Sequence, residues 1–492
     1  LRPKATAFFA VRAYLRPEDA LNEGSFPPPP GGDAVVAGGV IVYFSPSMAN
    51  NRFPASPRVL HITPWREPCG IAGYAESLVR GLEQRGIQSS VLANNAGQWR
   101  YFVGHDSSHF FDAVARAATD HDVVHIQHEW SFFTGSSSCA SIRNYGRLLE
   151  VLRRRGIASC TTFHTEPVFV PPQMLGSHKK LTLKRWLAKR FSPQSYAWNR
   201  WVVPHFKKGD VPCRAVVHTP NTRAVFARSG LPTDSIATLP MGFEQLPHVV
   251  GGDRIAAKQS LGLHDDIRLV SIFGFVSEYK GHDVALDALK QLPERYHLAV
   301  VGGAHPQAQD GFFSHVVARA KRFAGRVHVT GYADRTTADT YMTASDACLA
   351  PYHQWSGLAS SAAITRSIAS GRPVIASKIE AFCNLQKEAD CLLMVAPGQK
   401  AELAWAIERV CDDPLLQHTL GQRGVSFAAE CSWANVAEQT IGLYADVLDE
   451  AMRGQARSST GRDAAAAAEP AYAFRSDAGS HESDVRPRRR IA

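Results

Sequence analysis

Two hydrophobic patterns alternate along the chain. Short continuous apolar runs (Val59-Leu60-His61-Ile62, Val123-Val124-His125-Ile126, 158–163, Ala215-Val216-Val217) are separated by stretches whose apolar residues recur at helical spacing, chiefly 71–84 and 141–154. Continuous runs of this kind predict strands covered on both faces. Strand–helix–strand order predicts a parallel sheet with helices on both sides. The pattern starts again after Gly242, with strands expected at 269–273, 297–301, 327–329, 347–349 and 373–376 and helices at 283–291, 311–323, 337–343 and 360–370. The expectation is an α/β protein with two doubly wound Rossmann-like domains in series. Ligands bind such sheets at the carboxyl ends of their strands, so a cleft between the two is the expected site.

The rest of the chain sets the boundaries. Residues 1–56, with Pro27-Pro28-Pro29-Pro30-Gly31-Gly32, read as a disordered leader, and 454–492, with its alanine run and terminal arginines, as a disordered tail. Between them lie an N-terminal domain at 57–245, a C-terminal domain at 246–430 and a last helix at 431–453. A length of 492 residues exceeds what one core usually holds, and 45% apolar with 20% charged residues is ordinary globular composition. Nine cysteines without C-x-x-C spacing point to reduced, mostly buried thiols in a cytoplasmic protein and give a zinc site no support. No run of apolar residues is long enough to span a membrane, and the first residues lack the form of a signal peptide.

Four segments carry chemistry. Gly70-Ile71-Ala72-Gly73-Tyr74 follows the first strand and opens the first helix, where backbone N–H groups can approach an anion. His164 ends a strand and faces the expected cleft, as a hydrogen-bonding group for a sugar or for developing charge. One strand earlier, His125-Ile126-Gln127-His128-Glu129 raises the same question. In Phe273-Gly274-Phe275-Val276-Ser277-Glu278-Tyr279-Lys280-Gly281, Lys280 in a glycine-bordered turn suits a diphosphate. Ser360 and Ser361 open a helix whose free N–H groups can hold phosphate oxygens; simple N-capping would need only one of them. Each segment also has a plain structural reading as a turn, a core histidine, a solvated lysine or a helix cap.

The order and spacing of these segments resemble family 4 of the glycosyltransferases, of GT-B fold, over about residues 57–450. Gly70 to Tyr74 is similar to that family's N-terminal turn, His164 to its strand-end histidine, and Tyr279-Lys280-Gly281 to its phosphate-binding turn. Gly331 and Tyr332, in Val329-Thr330-Gly331-Tyr332, resemble the segment that borders the nucleotide base. Ile236 to Phe243 resembles the segment joining the domains, Ala369 to Ala376 the end of the donor-site helix, and Ser432-Trp433-Ala434-Asn435-Val436-Ala437 the start of the last helix. Three positions depart: Phe275 stands where the family often has arginine, and Leu358 and Arg366 stand where it has paired glutamates. The resemblance implies a retaining hexosyltransferase with no essential metal and no cofactor beyond the nucleoside diphosphate sugar. Lys280 and His164 would be its catalytic residues. Gly70, Gly73, Gly274, Lys280, Gly331, Tyr332, Ser360 and Ser361 would bind the donor. The alternatives are a catalytically inactive relative that binds a sugar nucleotide or a partner protein, and a GT-B sugar-nucleotide epimerase.

The net charge of +9 has an address. From Pro167 to Gly209 there is no acidic residue, and Lys179, Lys180, Lys184, Arg185, Lys189, Arg190, Arg200, Lys207 and Lys208 are interleaved with Trp186, Phe191, Trp198 and Trp201. Such a segment suits a lipid-linked acceptor or an anionic membrane surface, with Lys179, Lys180, Lys184, Arg185 and Trp186 as the contact; a solvated basic face over core tryptophans is the plain alternative. No nucleic-acid-binding motif accompanies it. The expected partners are a nucleotide sugar and a saccharide or lipid-linked acceptor. The expected setting is polysaccharide biosynthesis in the cytoplasm, with peripheral contact to the inner face of the plasma membrane.

Overall fold

The computed structural model describes residues 34–37, 40–44, 56–67, 69–93, 107–133, 138–167, 193–207, 211–304, 311–353 and 361–467. Eight strands make the first sheet: β1 (Ala34–Ala37), β2 (Val40–Phe44), β3 (Arg58–Thr63), β4 (Gln88–Ala93), β5 (Val123–His128), β6 (Ala158–Phe163), β7 (Cys213–Val217) and β8 (Ile236–Thr238). Their order is β1-β2-β4-β3-β5-β6-β7-β8. The six from β4 to β8 in that order are parallel, while β1 and β2 extend the sheet antiparallel, with Phe44 opposite Ser90. Two strands therefore arise within the segment expected to be a leader. Val40 to Phe44 is β-branched and aromatic, a composition suited to strands, and it covers an edge of β4 that would otherwise be open.

The second sheet contains β9 (Arg268–Phe273), β10 (Tyr296–Val301), β11 (Val327–Gly331), β12 (Ala347–Ala350), β13 (Val374–Ser377) and β14 (Leu392–Val395), in the order β11-β10-β9-β12-β13-β14. All its pairings are parallel. Chain direction across the sheet reverses between β9 and β12, and across the first sheet between β3 and β5. These are the switch points at which loops splay apart and leave room for a ligand.

Two crossings lie side by side between the units. The Phe243 amide donates to the Cys431 carbonyl at 2.9 Å, and Phe243 and Ser432 form an isolated β-bridge. The helix Trp433–Ala467 then returns to the first unit. Its Val436, Ala437, Tyr444 and Val447 are buried with Val59, Tyr74, Leu78 and Cys160 of that unit. His125 holds the Tyr444 hydroxyl at 2.6 Å, and Arg214 pairs with Glu450. This helix runs on to Ala467, past the expected end at 453; the alanine run read as tail is the best of helix formers. All nine cysteines are free, and no helix among the described residues is long and apolar enough to cross a membrane.

Candidate interdomain active site

The carboxyl ends of the two sheets face each other. Asn221, just past β7, donates its side-chain amide to Glu380, just past β13, at 2.5 Å. On the first unit's wall, β5 and β6 run parallel with Gln127 opposite Thr162, so Gln127 reaches His164 just beyond β6. The His164 Nε2 lies 2.8 Å from the Gln127 side-chain oxygen, and its backbone amide donates to the His128 carbonyl. An amide oxygen only accepts, so this contact puts the proton on Nε2 and leaves Nδ1 as the acceptor. Burial, and after it the neighbouring imidazoles, hold the His164 pKa well below the ordinary histidine value. The ring also packs edge-on against Tyr74 at 4.9 Å, and Tyr74 in turn meets Trp433 at 4.9 Å.

The other sequence-flagged histidines have different fates. His125 is buried between Tyr444 and Thr162, while His128 is enclosed by Trp130, Phe133, Tyr145 and Phe163 with neither nitrogen bonded. Burial pushes both down to about 3, so they are neutral core residues. Gly70 and Gly73 sit in the first turn of the helix Gly70–Glu83, both exposed, and a β-carbon at either would meet nothing within 4 Å. Internal packing therefore does not require either glycine.

On the opposite wall Lys280 lies in the turn after β9, at the second sheet's switch point. It is 5% exposed and has no hydrogen-bond or ion-pair partner among the described residues. Burial alone pushes its pKa down to about 8. The turn is built to bring it there. Gly274 has φ of 90°, and a β-carbon on it would lie 2.9 Å from the Lys280 ammonium and 3.5 Å from the Ala363 β-carbon. Gly281 has φ of 69°, and a β-carbon on it would overlap the Pro351 carbonyl. The ammonium is thus held beside Gly274, facing the first turn of the helix Ala362–Ala369. A buried cation without a counter-ion is costly, and helix N–H groups beside it make the same place attractive to an anion.

Ser361 is the N-cap residue of that helix, but its hydroxyl bonds the Tyr352 hydroxyl at 2.9 Å and caps no N–H. Ser360 lies outside the described residues. Gly331 ends β11 in a left-handed conformation with φ of 68°. Tyr332 follows it, 63% exposed, with its hydroxyl donating to the Ala304 carbonyl and its ring over Gly303. Phe275 approaches Tyr332 edge-on at 6.2 Å. Lys280, Gly274, Phe275 and Tyr332 therefore form one continuous wall that passes from cation to aromatic.

Residues 267–413 match the family model of the group 1 glycosyl transferases. Over those residues the second unit is similar to the group 1 glycosyl transferases. The D-inositol 3-phosphate glycosyltransferase of Corynebacterium aurimucosum is 26% identical over 235 residues, 46% of this chain and 55% of that protein. The chain spans about half the length of the curated relatives it matches. Sucrose-phosphate synthase from Thermosynechococcus elongatus has a similar structure, with a TM-score of 0.61 at 20% identity over 80% of this chain and 99% of that one. Anabaena HepE in complex with UDP and glucose gives 0.55 at 15% identity over 79% and 99%. These likenesses show the GT-B fold.

Within the second unit the departures noted in the sequence acquire partners. Arg366, on the helix Ala362–Ala369, pairs with Glu244 and Asp339, and Arg335 also pairs with Glu244. His248 adds a 2.8 Å contact to Asp339. A basic residue at position 366 thus belongs to an alternating charge chain that ties the helix to the segment entering the domain. Leu358 lies outside the described residues, as do Lys179, Lys180, Lys184, Arg185 and Trp186. Of the aromatics interleaved with that basic run, Trp198 is a core residue, fully buried against Phe163 and Phe226 with its indole N–H on the Ser229 carbonyl. Tyr196 and Trp201 are exposed, with Arg200 over the Trp201 ring. Sequence reasoning overlooked Gln127 as a partner of His164, and it overlooked His218, Asn221 and Glu380. None stands in a recognisable motif; only the ends of adjacent strands bring them together.

Proposed function

We propose that the chain transfers a hexosyl group from a nucleoside diphosphate sugar to a hydroxyl of a saccharide or lipid-linked saccharide, with retention of anomeric configuration. The buried, unpaired ammonium of Lys280 at the switch point of the second unit carries this reading. The bond from the anomeric carbon to the diphosphate oxygen breaks with its electron pair, and the new negative charge falls beside Lys280 and the N–H groups of the helix Ala362–Ala369. The acceptor oxygen bonds to the anomeric carbon and passes its proton to the diphosphate oxygen that has just been freed. His164 sits on the other wall, where its Nδ1 accepts a hydroxyl hydrogen bond. Phe275 and Tyr332 extend the donor wall toward the nucleoside, and Gly70 and Gly73 leave open space beside the first helix. A nucleotide-sugar donor also agrees with HepE, the structural neighbour crystallised with UDP and glucose. Nothing in this reading requires a metal.

Calorimetry with UDP, GDP and ADP, followed by product analysis with the matching hexose donors, tests the proposal. Diphosphate binding that depends on Lys280, with transfer to saccharides, is the expected result. Binding without any transfer favours an inactive relative, the reading supported by Arg366 in its ion pairs with Glu244 and Asp339. Absence of binding overturns both. A membrane-facing role of the basic segment, and with it a lipid-linked acceptor, is favoured by the exposed Tyr196, Arg200 and Trp201 at its described end.

A further inference from the structure

The donor wall offers a cation, whereas the wall around His164 is of another chemical kind. His218, at the end of β7, is 5% exposed; its Nδ1 lies 3.2 Å from the Leu239 carbonyl and its Nε2 has no partner. A carbonyl only accepts, so Nδ1 carries the proton and Nε2 is left as an acceptor lone pair. The ring lies 5.7 Å from that of His164. Burial holds His218 down at about 4 and His164 well below its usual value, so both stay neutral. The next turn presents Asn221 and Thr222. Thr222 donates to Glu166 at 2.9 Å and Asn221 to Glu380 at 2.5 Å. Among the described residues neither carboxylate is in an ion pair; each is held by a neutral amide or hydroxyl. Glu380 is exposed and comes from the other unit, so a molecule entering between the walls meets it directly.

We propose that His218, Asn221 and Glu380 form, beside His164, a subsite that reads the hydroxyls of an uncharged saccharide, which replace the Asn221–Glu380 contact when they enter. Imidazole lone pairs and carboxylates accept from hydroxyls, and the Asn221 amide donates to them. A phosphate dianion offers acceptors and negative charge only, so the neighbouring carboxylates Glu166 and Glu380 repel it. Group-specific polar sites of this type discriminate strongly, because an unsuitable ligand leaves their buried groups unpaired.

This inference rests on the transferase reading, and its test separates the two. The full chain is supplied with whichever UDP-, GDP- or ADP-hexose it turns over. Acceptors are offered in pairs: glucose against glucose 6-phosphate, and myo-inositol against an inositol phosphate. The uncharged member of each pair is the expected better acceptor. Glu380→Gln and Asn221→Ala should each raise its KM roughly tenfold, in proportion to a lost charge-assisted or neutral hydrogen bond, without changing nucleoside diphosphate affinity. Glu380→Lys should shift preference toward the phosphorylated member. His218→Phe adds to the test if it folds, and the more accessible Asn221 and Glu380 carry it if not. Preference of the wild type for phosphorylated acceptors, or unchanged KM in Glu380→Gln and Asn221→Ala, overturns the subsite and leaves the donor reading standing. Loss of diphosphate binding in the wild type removes the donor reading and the subsite with it.

Discussion

The indole of Trp433 occupies the place that a β-carbon on Gly242 would take, so the two chain crossings between the units interlock at these two residues. Trp433 continues to Tyr74, and Tyr74 to His164, each at 4.9 Å, so the interlock is one ring away from the candidate site. Gly242→Ala should therefore cost about 1–3 kcal/mol of stability through overpacking. Urea unfolding of the two proteins measures it; equal midpoints would mean that Trp433 moves aside freely.

Lys280→Met separates binding from folding. The substitution should weaken nucleoside diphosphate binding by about 1.5–3 kcal/mol, the usual scale for a charge-assisted contact. Thermal stability should not fall, because replacing a buried, unpaired ammonium by an apolar side chain removes a desolvation cost. Calorimetry and a melting curve on the same preparation decide this. A structural lysine would give the opposite pair of results.

The same lysine sets a pH dependence. Burial places its pKa at about 8, below its ordinary value of 10.5. Between those values the folded chain binds fewer protons than the unfolded one, so this group adds stability as pH rises through the window. Diphosphate binding has the opposite sign, since it needs the ammonium. Affinity should fall as pH rises past about 8, and binding there should take up a proton. Titrations in buffers of different ionisation enthalpy detect that proton, and Lys280→Met should abolish it.

His164→Ala should reduce turnover at saturating donor by roughly a hundredfold or more, the lower range for a positioned acid–base group, with nucleotide affinity unchanged. Gln127→Ala should show the same kcat effect in weaker form, because it frees the Nε2 that the amide now orients. Kinetics that leave kcat intact in His164→Ala would remove this histidine from the site.

If the basic segment docks on anionic lipid, sedimentation with liposomes should rise with anionic lipid content and fall with salt. Each engaged lysine or arginine contributes about 1 kcal/mol, so replacing Lys179, Lys180, Lys184 and Arg185 by glutamine should abolish the binding. Donor affinity should not change, since Lys280 lies in the other unit. Liposome binding that survives the four substitutions would move the contact elsewhere.

The alternation of apolar runs with helical periodicity was enough to place most of the parallel strands and to expect two wound sheets in series. It missed β1 and β2, because runs as short as Ala34–Ala37 carry little periodicity beside a proline- and glycine-rich stretch. The lysine turn was also legible, because its chemistry is local: two glycines that take positive φ, Gly274 and Gly281, border the segment that holds Lys280.

Contacts across the fold left no such mark. Periodicity tells a residue which face of its own element it occupies, but not which element lies opposite. Crossover order alone decided that Gln127 meets His164 across two parallel strands. It also made Trp198 a core residue although it sits in a basic run, and gave Arg366 the carboxylates of Glu244 and Asp339 as partners. The sequence alone thus determined two wound sheets and a lysine in a glycine-bordered turn after the first strand of the second. Tertiary structure decided which side chains share the cleft, because residues such as Asn221 and Glu380, 159 positions apart, become neighbours only when the carboxyl ends of the two sheets are brought face to face.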